Sequence, residues 1–120
     1  MKAIFVELPA FTRYRATYLD EMAFLELQQL LMNNPDAGSL IQGTGGLRKL
    51  RVADAGRQKG KRSGIRVIYF WWKNGKQFWL FTLYGKGEMN DLLPNEKKAL
   101  KQQLKTELRI RKNRDKQARA

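Results

Sequence analysis

The stretch from Gly64 to Tyr84, GIRVIYFWWKNGKQFWLFTLY, limits what this chain can fold into more than any other. Two apolar runs rich in aromatic and β-branched residues flank Lys73-Asn74-Gly75-Lys76. Asn-Gly tolerates positive φ, and apolar runs on either side of it predict a β-hairpin with a tight turn. Alternation places Ile65, Val67, Tyr69 and Trp71 on one face and Arg66, Ile68, Phe70 and Trp72 on the other. On the return strand Phe78, Leu80, Thr82 and Tyr84 alternate with Gln77, Trp79, Phe81 and Leu83. Both faces are mostly apolar, so the hairpin belongs in the middle of a sheet covered on both sides. Arg66 interrupts the pattern. An unpaired charge inside a core costs too much to keep, so this guanidinium must reach solvent or meet an anion, and a phosphate is the expected one.

A chain of 120 residues supports one domain with one core. No apolar run approaches the roughly 18 residues of a membrane helix. The first residues, MKAIFVELPA, carry a glutamate where a signal peptide would continue its apolar region, which predicts a strand and a cytoplasmic protein. Cysteine and histidine are both absent. That excludes disulfides, Cys/His zinc sites and a cysteine nucleophile, and it removes the commonest general acid–base at neutral pH. No metal or cofactor is expected, and any catalysis falls to Lys, Arg, Tyr or carboxylates.

The formal net charge is +13, and its distribution says more than its size. Residues 1–42 carry three of the 24 basic and five of the 11 acidic side chains, leaving the rest of the chain with an excess of 15 positive charges. Such asymmetry suits a polyanion, usually nucleic acid. An acidic protein partner is the alternative, and the two are compatible.

Lys2–Leu8 reads as a first strand ended by Pro9. Phe11, Tyr14 and Tyr18 recur at helical spacing, with Arg13 and Arg15 turned outward and the tyrosines packed in the core. Asp20 is placed to cap a second helix, Glu21–Asn33, which stops before Pro35. The glycines of GSLIQGTGG (residues 38–46) lack the lysine and hydroxyl spacing of a phosphate-binding loop and are read as turn geometry. Leu47–Ala53 alternates as a strand with Lys49 and Arg51 on one face and Arg48, expected to bind RNA, on the other. Two basic residues on one face repel each other, which is unusual for a purely structural strand. The loop from Asp54 to Ser63 adds Arg57, Lys59, Lys61 and Arg62 as the rim of a groove for a phosphate backbone. Pro94 suits the first position of a last helix, with Glu96 at its positive end and Leu100, Leu104 and Leu108 as its apolar seam. Residues 1–108 are expected to form the domain, and 109–120 a frayed or disordered basic tail that adds salt-sensitive affinity for RNA.

The phrases QGTGGLRKLRVA (Gln42–Ala53), GKRSGIRVIYFW (Gly60–Trp71) and TLYGKGEMNDL (Thr82–Leu92) together resemble the RelE/ParE toxin superfamily, in particular its HigB-type branch. The resemblance implies an α+β RelE-like fold: an N-terminal strand and two helices packed on a mainly antiparallel twisted sheet, with a C-terminal helix. It implies the toxin of a type II toxin–antitoxin module, a ribosome-dependent endoribonuclease that cuts translated mRNA. Its partners would be the ribosome and a cognate antitoxin, a HigA-like helix-turn-helix protein. The family's paired strand cations match Lys49 and Arg51, its G-x-R motif matches Arg66, and its post-strand lysine matches Lys86. Two positions depart: Gly87 stands where RelE has a further arginine, and Leu93 where RelE has a stacking tyrosine. Tyr84 is the aromatic that can take over stacking.

RNA supplies its own nucleophile, a 2′-hydroxyl that attacks the adjacent phosphate and leaves a 2′,3′-cyclic phosphate and a 5′-hydroxyl. The protein must align the two, stabilise the phosphorane and handle two protons. Arg66 suits phosphate with its planar fork, Arg51 anchors a flanking phosphate, Lys49 accepts the proton and Lys86 donates one. Glu88 is an alternative base, or simply a charge at the approach to the last helix. Two other functions fit the same scaffold: a ParE-like toxin that blocks a topoisomerase, and a noncatalytic RNA-binding regulator.

Overall fold

A computed structural model of the chain describes residues 2–53, 64–85 and 92–119. Its elements are β1 (Ile4–Glu7), α1 (Pro9–Tyr18), α2 (Glu21–Asn33), β2 (Ser39–Leu40), β3 (Arg48–Val52), β4 (Ile65–Trp72), β5 (Gln77–Gly85) and α3 (Pro94–Arg119). The strands form one sheet in the order β1-β5-β4-β3-β2. β1 runs parallel to β5 and every other pairing is antiparallel. The expected α+β architecture, with the hairpin at the centre, is the one observed.

Each face of the hairpin has its own helical cover. Val67, Tyr69, Phe78 and Leu80 pack with Phe11 of α1 and with Leu27 and Leu31 of α2. Ile68, Trp79, Phe81 and Tyr84 pack with Leu104 of α3, flanked by Leu100 and Leu108. Side-chain carboxylates fix the starts of α2 and α3. The Asp20 carboxylate accepts from the Ala23 N–H at 2.7 Å, and the Glu96 carboxylate accepts from the Leu93 N–H at 2.8 Å, just before Pro94 opens α3. Arg15 is not turned outward: it lies 3.1 Å from the Glu7 carboxylate and over the Phe24 ring, tying α1 to β1 and α2.

Three local features differ from the sequence reading. First, positive φ falls on Lys76 (52°) rather than on Asn74 or Gly75, because the turn is a four-residue loop closed by Lys76 N–H donating to the Lys73 carbonyl at 3.2 Å. Gly75 is needed for space instead: a Cβ there would sit 2.4 Å from the Trp72 ring. Gly75→Ala is expected to destabilise the fold by about 1–2 kcal/mol in urea unfolding, since a packed indole must move.

Second, α3 runs on past residue 109 to Arg119. The apolar seam ends at Leu108, and Arg111 takes the next position facing the sheet, 3.6 Å from Glu107 and over the Trp79 ring. A long cationic side chain thus replaces a leucine, using its stem and its planar head.

Third, β5 carries a bulge. Ile68 pairs with Thr82 but Tyr69 pairs with Leu80, so Phe81 is an extra residue in the strand. Strict alternation would put Thr82 and Tyr84 on the face of Phe78 and Leu80. The extra residue reverses that, and Tyr84 joins Trp79 and Phe81 under α3.

Candidate functional site

The bulge decides which residues can work together. With β5 shifted by one, Arg66 is flanked by Arg51 of β3 on one side and Tyr84 of β5 on the other. Lys49 lies two positions along β3, opposite Ile68, which in turn faces Thr82. Residues paired across a sheet share a face, so Lys49, Arg51, Arg66 and Tyr84 occupy the α3 side over about 10 Å of three adjacent strands. Two arginines directly opposite one another repel. An anion between them converts that repulsion into attraction, which is why such a pair suits phosphate.

The three cations differ in access. Arg51 is exposed and Lys49 half-buried. They line a cavity of about 530 Å³ with Gly38 and Ser39, along the outer edge of β3 where it runs on past β2. Lys49 also shares a smaller space of about 270 Å³ with Gln42 and Lys97, the latter from the first turn of α3. Lys97 was absent from the sequence-based site because helical spacing says nothing about which strand a helix will cover. Arg66 is the exception. It keeps 5% of its surface exposed, and its Nη1 donates to the Gly64 carbonyl. Arg66 is therefore a recessed guanidinium rather than an open fork, with Arg51 opposite it on β3.

Tyr84 leads to a second space. With Tyr14, Tyr18, Thr82, Leu92 and Glu96 it lines a cavity of about 380 Å³ between α1 and α3, beside the part of β5 that β1 does not reach. Tyr18 packs on the core as expected, but Tyr14 is 43% exposed on the rim of this cavity, with Arg13 beside its ring. Leu93, the position of the expected late tyrosine, is exposed at the start of α3. Arg57, Lys59, Lys61, Arg62 and Lys86, together with Gly87 and Glu88, lie outside the described residues.

Arg48 sits apart from this cluster. Its Nη1 donates to the carbonyls of Asp36 (3.0 Å) and Gly38 (3.4 Å), and its Nε lies 3.9 Å from the Asp36 carboxylate. On the same face the Tyr69 hydroxyl bonds to the carbonyls of Pro35 (2.9 Å) and Ala37 (2.6 Å). Together they hold the segment that leads into β2. Burial pushes the Tyr69 hydroxyl up to about 12; nearby Arg48 opposes the rise and Asp36 adds to it. The folded state therefore holds this proton more tightly than an unfolded chain. The contribution to stability is complete below about pH 10 and is lost as pH rises from there towards 12. Tyr69→Phe is expected to cost about 1–2 kcal/mol at pH 7 and to flatten that part of the alkaline unfolding curve, read by urea titrations across the range.

No group of three or more His, Cys, Asp or Glu placed to hold a metal occurs among the described residues, and no helix among them is long and apolar enough to cross a membrane. No protein-family model matches the chain. A solved structure of the toxin RelE from E. coli, a mutant in the free state, is similar to it with a TM-score of 0.50 and 12% sequence identity, covering 75% of this chain and 90% of that one. The protein thus has a RelE-like fold, an α+β domain with a mixed five-stranded sheet and a C-terminal helix.

Proposed function

We propose that this protein is the toxin of a type II toxin–antitoxin module, of the HigB type within the RelE/ParE superfamily, and that it cleaves translated mRNA on the ribosome. The observation that carries this reading is the alignment of Arg51 with Arg66 across β3 and β4, with Lys49 two residues along on the same face. The RelE-like fold adds support. Arg51, open to the edge cavity, takes a phosphate that flanks the scissile bond. Lys49 accepts the 2′-hydroxyl proton, and Lys86 protonates the leaving 5′-oxygen. Arg66 adds positive charge from behind and engages a phosphate oxygen once the strand is seated. Tyr84, buried beside Arg66, meets a base only through the cavity it lines. Arg57, Lys59, Lys61 and Arg62 hold the flanking backbone in this reading, and Arg48 supports the strand that carries Lys49 and Arg51. The protein acts in the cytoplasm without a metal, and a HigA-like antitoxin keeps it from the ribosome.

A second reading has a specific observation behind it. The burial of Arg66 favours a noncatalytic RNA-binding protein on the same scaffold, because a sealed guanidinium is a structural cation as readily as a catalytic one. Primer extension on mRNA from cells expressing the protein separates the readings. Cuts phased with translated codons are expected; growth arrest with intact mRNA and broken DNA points to a topoisomerase-blocking toxin, and intact mRNA and DNA to the noncatalytic protein.

A further inference from the structure

We propose that the outer face of α3 is a docking strip for the phosphate backbone of duplex RNA, distinct from the cleft that takes the scissile strand. At about 100° per residue, Lys98, Lys101, Lys105, Arg109, Lys112 and Lys116 fall within about 80° of arc around the helix. All six are exposed, and they run along about 27 Å of helix axis. The acidic residues of α3 are sorted away from them. Glu96 caps the helix start, Glu107 pairs with Arg111 on the sheet side, and Asp115 lies with Arg111 and Arg114 beside the hairpin turn.

Nothing in the fold calls for this arrangement. Consecutive members of the strip are three or four residues apart, so each neighbouring pair is repulsive. Among the described residues none of the six takes part in an ion pair. A straight, one-signed strip suits a partner with a regular line of opposite charge. A nucleic-acid duplex has one, with a phosphate charge every 1.7 Å or so of its axis. Duplex RNA in particular is recognised through backbone and shape rather than through its deep major groove. A folded acidic protein mixes its carboxylates with cations, and a flexible single strand has no fixed line of charge to match. The choice of RNA over DNA rests on the proposed ribosomal role; the affinity for a duplex does not.

The test compares three full-length proteins binding a 20-base-pair RNA duplex of arbitrary sequence across a salt titration. In the first, Lys105, Arg109 and Lys112 become Gln, a good helix former that leaves α3 intact. In the second, the exposed Lys2, Arg13 and Lys73 become Gln, removing equal charge elsewhere. The third is the unaltered chain. The strip variant is expected to bind about 10- to 100-fold more weakly at 0.1 M salt, with a slope of log K against log salt shallower by about 2 to 3, and with unchanged helical circular dichroism. The control variant is expected to stay within about threefold of the unaltered chain. Equal losses in both variants, or none in the strip variant, overturn the proposal. So does tighter binding of poly-glutamate than of the duplex, which assigns the strip to an acidic protein. Duplex binding is read without cleavage, and primer extension reads cleavage on the ribosome, so failure of the strip and failure of the cleft are read separately.

Discussion

Arg51→Ala and Arg66→Ala are each expected to lower ribosome-dependent mRNA cleavage by about 10²- to 10³-fold, Arg66→Ala by removing a preorganised donor to the developing anion and Arg51→Ala by releasing the flanking phosphate that aligns it. The two differ in what else they do. Arg51 is exposed and faces another arginine, so its truncation is expected to leave stability within about 0.5 kcal/mol of the original. Arg66 is buried and bonded to the Gly64 carbonyl, so Arg66→Ala also loses packing and leaves that carbonyl without its donor. Arg66→Lys separates these effects, because it restores charge and bulk but not the planar fork. Recovery of folding without recovery of cleavage marks Arg66 as a phosphate contact. Full cleavage by a folded Arg66→Ala protein, measured by primer extension, removes Arg66 from the site and leaves it a structural cation. The double alanine variant is expected to lose less than the product of the single losses, since the two arginines face each other and position the same strand.

Gly38→Ala is expected to be the most damaging small substitution away from the core, lowering stability by roughly 3 kcal/mol in urea or thermal unfolding. Gly38 has φ of +84°, where an L side chain is strained, and an added Cβ would lie 2.3 Å from the Lys49 carbonyl oxygen. That oxygen belongs to rigid backbone and has nowhere to go. Relief comes only by separating residues 38–40 from β3, which breaks the pairings Ser39↔Lys49 and Leu40↔Arg48 and opens the cavity lined by Lys49 and Arg51. Cleavage should fall along with stability. A stable Gly38→Ala protein with full activity is incompatible with this close approach.

Much of the scaffold was legible because its signals are local. Asp20 caps α2 as its position foretells, Pro94 opens α3, and the aromatic runs around Asn74-Gly75 form the central hairpin. Lys49 and Arg51 share a face because side chains alternate along any strand. Other features depend on a partner that no short window contains. Arg111 extends α3 past its last leucine by lying over Trp79, which is 32 positions away in the chain. Arg48 resembles its neighbours in LRKLRV, yet it is held by the backbone of Asp36 and Gly38 on the opposite face from Lys49 and Arg51.

The sequence by itself determined the class of fold, the positive charge and the absence of cysteine and histidine chemistry, because these follow from composition and from periodicities set by backbone geometry. Only the tertiary structure decided what stands next to what. One bulged residue, Phe81, carries Tyr84 from the α1–α2 side of the sheet to the α3 side and places it beside Arg66. Pairing register is a property of two strands at once, settled by how their side chains pack against both covering layers, and alternation along either strand alone does not contain it.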